Sequence, residues 1–193
     1  MNTKIKLQIL NCNSLTNKLP ELKEHISSSS PTILCLSETW LTDRFTPRFL
    51  NYCTEWKHRL GQVGGGLGIL IHQETLYKPL DLTPFPMGVL EIHGITLYSS
   101  SGSTIQIINI YNPLKNVTCA EFHHYCAQLG NTFIIVGDFN AHTSLTDTND
   151  RTSNPTGVAL KYLMDDFPIC LINPPNFYTY KDRRTFKMSC LKY

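Results

Sequence analysis

The stretch Phe133-Ile134-Ile135-Val136-Gly137-Asp138-Phe139-Asn140 most constrains what this chain can become. Four apolar residues bounded by a turn former predict a buried strand. Gly137 permits a bend where a side chain would obstruct, and Asp138 and Asn140 lie at the strand end. If both project to one side, as alternate strand residues do, a carboxylate and an amide face a common space. Such a pair suits phosphate chemistry: the Asp can take a proton from water or hold a metal, and the Asn can donate to a phosphate oxygen without adding charge. Gly-Asp-x-Asn is also the signature of an Asx turn closing a strand, so the motif alone does not choose between the two.

The same arrangement recurs along the chain. Ile5 to Leu10 alternates as a strand and runs into Asn11-Cys12-Asn13-Ser14-Leu15, where two amides sit at a strand end. Leu19, Leu22 and Ile26 fall at helical spacing across Lys18 to Ile26, Pro20 is tolerable in a first turn, and Ser27 to Ser30 close the helix. Thr32 to Leu36 is a second buried strand, and Glu38 follows it directly. Thr42 to Leu60 is irregular; its Trp56, Lys57, His58 and Arg59 suit a solvated surface loop, although a basic and aromatic mixture can also touch nucleic acid. Gly64 to Ile71 lacks the Gly-Lys-Ser/Thr ending of a nucleotide-binding loop, so its glycines are expected to allow a tight approach into a strand. Val89 to Leu97 and Thr104 to Tyr111 are strands joined by a turn at Ser99 to Ser103. The second of these ends in a phenol, Tyr111. Cys119 to Leu129 and Gly157 to Phe167 are expected helices, with a Thr/Ser/Asn/Asp-rich loop from Asn140 to Thr156 before the second. Ile169 to Asn173 and Phe177 to Tyr180 are expected short strands, and Lys181 to Tyr193 is a basic tail.

A length of 193 residues with 41% hydrophobic content suits one domain with a real core. The expected division is therefore a single domain over residues 1–180 followed by the tail at 181–193. Seventeen basic and fifteen acidic residues nearly balance, which excludes a bulk electrostatic field of the kind that marks many nucleic-acid binders; any such site must be local. Seven cysteines, an odd number with no Cys-x-x-Cys pair, read as buried free thiols of an intracellular protein. No signal peptide or membrane span is expected, and no membrane or obligate protein partner is inferred.

Asn11, Asn13, Glu38, Tyr111, Asp138 and Asn140 therefore all stand at strand ends. Together they describe a pocket of carboxylates, amides and a phenol at one end of a β core, which suits a hard cation with oxygen ligands. With no Cys/His ligand set in the sequence pattern, Mg2+ or Mn2+ is favoured over zinc.

Five blocks in this order resemble the endonuclease/exonuclease/phosphatase superfamily, which includes abasic-site endonucleases and the endonuclease domains of non-LTR retrotransposons. They are Leu10-Asn11-Cys12-Asn13-Ser14-Leu15, Leu36-Ser37-Glu38-Thr39-Trp40-Leu41, Gly64-Gly65-Gly66-Leu67-Gly68-Ile69, Asn109-Ile110-Tyr111-Asn112-Pro113 and Gly137-Asp138-Phe139-Asn140-Ala141-His142. The Glu-Thr-Trp-Leu, triple-glycine and Gly-Asp-Phe-Asn-Ala-His forms resemble the jockey type of retrotransposon.

The resemblance implies an α/β fold of four layers, αββα, with two packed mixed sheets flanked by helices. It implies Glu38 as principal metal ligand with Asn13 and Asn11 beside it, Asn13 standing where repair relatives usually carry Asp. Tyr111 would contact the scissile phosphate, Asp138 would orient or deprotonate the attacking water, and Asn140 would donate to the phosphoryl oxygen. The implied reaction is metal-assisted hydrolysis of a phosphodiester in a target DNA duplex, in the nucleus, leaving a 3′-hydroxyl that primes reverse transcription.

Nothing here matches the family's terminal Ser-Asp-His block, and the chain reads as truncated at its C-terminus, with feeble activity expected. Two alternatives stay open. One is another phosphoesterase of the superfamily, a phosphatase or deadenylase. The other is a non-catalytic remnant binding DNA weakly through Lys57, His58, Arg59 and the tail.

Overall fold

The computed structural model of the chain describes residues 4–144, 152–173, 180–181 and 188–189. The chain divides into two compact units: Met1–Leu82, Glu91–Tyr111 and Leu129–Gly137 form the first, and Thr83–Leu90, Asn112–Gln128 and Asp138–Tyr193 the second.

The first unit is built on strands buried on both faces. Strands β1 (Leu7–Asn11), β2 (Ile33–Ser37), β3 (Tyr52–Lys57) and β4 (Leu67–His72) form one sheet in the order β1-β2-β4-β3. The β1–β2 pair is parallel, and the β2–β4 and β3–β4 pairs are antiparallel. Strands β5 (Tyr77–Leu80), β6 (Glu91–Tyr98), β7 (Thr104–Tyr111) and β8 (Phe133–Asp138) form the second sheet in chain order.

Alternation along β2 and β4 sends side chains to two different cores. Ile33 and Cys35 of β2 and Ile69 and Ile71 of β4 pack against Ile95, Leu97, Ile107 and Val136 of the second sheet. Leu34, Leu36 and Leu70 point the other way, onto Leu22 and Ile26 of helix α1 (Leu19–Ser29). Burial on both faces is why these strands read as unbroken apolar runs. Leu22 and Ile26, four apart, form the inward stripe of α1. Pro20 occupies its first turn, and Ser30 ends it in the left-handed region at φ 44 with its N–H on the Ile26 carbonyl.

Polar side chains cross between the sheets, among them a fully buried amide. Asn109 of β7 is fully buried, and its Nδ2 donates to the carbonyl oxygens of Leu36 at 2.9 Å and Gly68 at 3.2 Å. Gly137 behaves as its sequence context requires: its φ is +129, and a Cβ there would fall on the Ile110 carbonyl oxygen.

In the second unit, helices α2 (Cys119–Cys126) and α3 (Pro155–Asp166) pack against each other. Both have side-chain caps. Thr118 accepts from the Glu121 amide, and Asn154 accepts from the Gly157 amide. Buried Glu121 turns back and accepts from the amides of Val89 and Leu90, both at 2.9 Å.

The α/β sandwich expected from the sequence is the fold observed. Several local expectations need correction. The segment 42–60 is not wholly a loop, because β3 lies within it at the edge of its sheet, where pairing on one side tolerates Glu55 and Lys57. Strand β5 escaped notice because Pro79 interrupts it, which is permissible at an edge. Ile169 to Asn173 is not a strand: it makes no ladder, and Cys170 and Ile172 are exposed. Among the described cysteines all are free, but Cys53 and Cys170 are exposed and not buried. The expected strand at Phe177 to Tyr180 falls outside the described residues except for Tyr180. Tyr180–Lys181 and Met188–Ser189 pair as β9 and β10, and the rest of the tail lies outside the described residues, as does part of the loop before α3. Among the described residues, no helix is long and apolar enough to cross a membrane.

Two outcomes test this account. Asn109→Ala removes the donor shared by two buried carbonyls and leaves a void; it should cost about 1–3 kcal/mol in urea unfolding. His93 of β6 has a buried Nε2 without a hydrogen-bond partner. Burial, reinforced by the Lys57 ammonium, pulls its pKa down to about 4 from 6.5. Because the folded value lies below the unfolded one, the stability tied to neutral His93 is complete above pH 6.5 and is lost as pH falls toward 4. Relative to His93→Gln, the unsubstituted chain should therefore lose up to about 3 kcal/mol between pH 6.5 and 4, measured by unfolding at stepped pH.

Candidate active site

The first group of side chains sits where β1 and β2 end side by side. Parallel pairing puts Asn11 opposite Ser37, and the pairing continues past both strands: the Cys12 amide donates to the Ser37 carbonyl, Ser14 to Glu38 and Leu15 to Thr39. Asn11 and Glu38 are thereby brought together. Asn11 Nδ2 donates to Glu38 Oε1 at 2.8 Å, and Asn11 Oδ1 accepts from the Asn13 amide at 3.0 Å.

Asn13 and Glu38 both hold left-handed backbone, at φ 42 and 51. Asn13 is exposed and Glu38 half-buried. Lys18 is close by, with Nζ donating to the Cys12 carbonyl at 2.5 Å. The Cys12 thiol is pushed up to about 12 by burial, against the Lys18 charge and with the Glu38 charge. It is an inert core thiol, not a nucleophile.

Tyr111, the last residue of β7, is buried, and the guanidinium carbon of Arg59 lies 5.6 Å from its ring centre. Arg59 is thus not in a solvated loop. It forms a close ion pair with Glu91, each side chain 17% exposed. Lys57 is similarly engaged, donating through Nζ to the Ile92 carbonyl at 2.9 Å.

The second group belongs to the second unit. Asp138, the buried final residue of β8, accepts through Oδ1 from the Asn140 amide at 3.2 Å. The Asx turn allowed by the sequence is therefore present. Strand alternation stops at Asp138, and Asn140 is oriented instead by left-handed backbone at φ 47. Asn140 Nδ2 donates one hydrogen to the Asn112 carbonyl at 2.7 Å, which leaves its second N–H for another acceptor.

Two residues overlooked by sequence reasoning hold this segment. Buried Asn112 donates to the carbonyls of Phe139 and Lys115 and accepts from the Lys115 amide. Asn154 donates to the Asn140 carbonyl and accepts from the His142 amide while capping α3. Asn112 stands in the motif after Tyr111, so its position was visible; nothing in the sequence around Asn154 marks it beyond its place before Pro155.

Away from these groups, a cavity of about 410 Å3 between the starts of α2 and α3 is lined by Val117, Cys119, Pro155, Val158 and Tyr162. It contains none of the expected site residues. Among the described residues the fold also gathers a Cys/His/Asp group absent from the sequence pattern, Cys119, His123 and Asp166. His123 Nε2 already lies 2.9 Å from Asp166 Oδ2, and both side chains are more than a third exposed. This is a surface His–Asp contact beside a free thiol.

The chain is similar to known proteins in sequence and in fold. The family described as endonuclease-reverse transcriptase matches residues 105–190. The RNA-directed DNA polymerase from mobile element jockey of Drosophila melanogaster is 27% identical over 182 residues, covering 91% of this chain and 19% of the relative. The chain thus spans about a fifth of that curated relative. Among solved structures, the endonuclease domain of TRAS1, a telomere-specific non-LTR retrotransposon, superposes with a TM-score of 0.72 at 12% identity, over 98% of this chain and 82% of that one. The 3′ phosphatase NExo from Neisseria, bound to a product DNA hairpin, superposes with a TM-score of 0.63 at 17% identity, over 94% and 80%. The ordered motif blocks, the two-sheet sandwich and these relatives agree: the chain is similar in sequence to the jockey polymerase and, over residues 105–190, to the endonuclease-reverse transcriptase family, and it has the fold of the TRAS1 endonuclease domain.

Proposed function

We propose that the chain is a metal-dependent endonuclease domain that hydrolyses a phosphodiester of a target DNA duplex, acting in the nucleus, in the service of a retrotransposon. The observation that carries this reading is the Asn11–Glu38 contact at the joined ends of β1 and β2. A carboxylate is held there by an amide, with the Asn11 and Asn13 side chains adding amide oxygens at the same strand ends.

That donor set fits Mg2+ or Mn2+ and does not suit zinc. Glu38 is the assigned principal ligand, and Asn13 is assigned beside it. Asn11, whose amide donates to Glu38 and whose oxygen accepts from the Asn13 amide, is assigned beside it as well and orients the carboxylate. When bound, the cation supplies neutralisation of charge building on the phosphoryl and leaving oxygens.

The remaining roles belong to side chains. The Tyr111 phenol is assigned to the scissile phosphate. Asp138 is assigned to take a proton from the attacking water as its oxygen bonds to phosphorus, and Asn140 donates its remaining N–H to a phosphoryl oxygen. The Asx turn and the Asn112 carbonyl fix Asp138 and Asn140 beforehand, so little reorganisation is needed as the reaction proceeds. No histidine is assigned a role.

The test is single-turnover nicking of supercoiled plasmid with Mg2+. The unsubstituted chain, which lacks a Ser-Asp-His block, should convert plasmid to open circles only slowly, and chelation should stop it. Glu38→Ala and Asp138→Ala should each slow nicking by about 100-fold or more, and Asn140→Ala by roughly 10- to 100-fold. Equal nicking by all four proteins would refute the assignment. Duplex binding without nicking would favour a DNA-binding remnant, and release of phosphate from a 3′-phosphoryl end without nicking would favour a phosphatase.

A further inference from the structure

We propose that Arg59 and Glu91 are positioning residues that set Glu38 and Tyr111 in place together. This inference rests on the endonuclease reading for its catalytic consequence, but the bracket itself is a matter of contacts within the first unit. Glu91 lies directly across the β6–β7 ladder from Tyr111. Its two carboxylate oxygens have separate duties. Oε1 accepts from Arg59 Nε at 2.5 Å, and Oε2 accepts from the Gly66 amide at 2.6 Å.

From Glu91 the connection runs both ways. Arg59 extends over the Tyr111 ring, restricting where that ring can lie. Gly66 in turn accepts the Thr39 amide at 3.1 Å, and Gly65 accepts the Trp40 amide at 2.8 Å. Thr39 and Trp40 follow Glu38, so the segment carrying the proposed metal ligand hangs from the glycine turn that Glu91 holds.

The glycines are needed for this approach. Gly65 and Gly66 have φ of +68 and +84; a Cβ on Gly65 would enter the Arg59 guanidinium, and one on Gly66 would come within 2.7 Å of Thr39 Oγ1. The segment they hold is itself unrelaxed, since Glu38 and Trp40 have positive φ of 51 and 54. Non-glycine backbone stays in that region only when its surroundings impose it. The Arg59–Glu91 pair, largely out of water, is the rigid element that does so.

The test uses two variants of the full chain. Arg59→Met/Glu91→Gln removes both charges, so no unpaired ion is left behind. Gly65→Ala keeps both charges but displaces the guanidinium. The first readout is amide hydrogen exchange, which needs no activity: Thr39 and Trp40 amides should exchange at least tenfold faster in either variant, with the amides of Leu34 and Leu70 unchanged. The second is Mn2+ binding followed by electron paramagnetic resonance. Glu38→Gln should abolish the bound fraction, and either bracket variant should weaken affinity about 10- to 100-fold. Unaltered exchange at Thr39 and Trp40 overturns the proposal. So does Mn2+ affinity equal to that of the unsubstituted chain when Glu38→Gln has lost it. If the unsubstituted chain binds no Mn2+ at Glu38, the endonuclease reading and the bracket's catalytic role both fail, while the exchange data still decide whether Glu91 holds the Glu38 segment.

Discussion

Burial of β2 and β4 on both faces is the constraint on which the first unit depends. A strand with one wet face needs only one partner layer, but Ile33-Leu34-Cys35-Leu36 and Leu67-Gly68-Ile69-Leu70-Ile71 require two. The second sheet covers Ile33, Cys35, Ile69 and Ile71, and α1 covers Leu34, Leu36 and Leu70. Fully burying an aliphatic side chain contributes about 1.5–3 kcal/mol, so slippage by one residue, which exchanges the two faces, would disrupt both cores at once. Register is therefore tightly specified, and so is the point where β2 ends and Glu38 begins.

Inside this apolar frame Asn109 is the exception that supplies specificity. Its amide bonds Leu36 of β2 and Gly68 of β4 from β7. An aliphatic residue could fill that volume, but only a directional donor ties the three strands at a defined level. Two residues beyond Asn109 is Tyr111, and two beyond Leu36 is Glu38. The clamp thus lies one pleat below both side chains, and the Glu91–Arg59 bracket lies beside them.

Backbone strain marks the same segments. Asn13, Ser14, Glu38 and Trp40 in the first unit, and Asn140 in the second, hold positive φ without being glycine. Each such residue costs on the order of 1–2 kcal/mol, and the cost is met by hydrogen bonds from neighbours, from Ser14 to Glu38 and from Trp40 to Gly65 in one unit and from Asn154 to Asn140 in the other. Ser30, Asn51, Met87 and Leu114 hold positive φ elsewhere, so such backbone is not confined to these strand ends, but it recurs beside the oxygen-bearing side chains.

The sequence by itself determined the doubly buried strands, the helix over α1, the Ser99–Ser103 hairpin and the strand-end placement of Glu38, Tyr111 and Asp138, because periodicity and turn chemistry are local properties. Edge strands β3 and β5 were not legible, since one-sided pairing tolerates the charge and proline that pattern reading counts against them. Ile169 to Asn173 showed the reverse error: an apolar run that makes no ladder among the described residues. Tertiary structure alone decided that Asn11 orients Glu38, that Arg59 leaves solvent to pair with Glu91, and that Asn112 and Asn154 hold the Asp138–Asn140 turn. Those contacts join residues up to dozens of positions apart, and no spacing rule along the chain records which distant amide or carboxylate a folded backbone will bring within 3 Å.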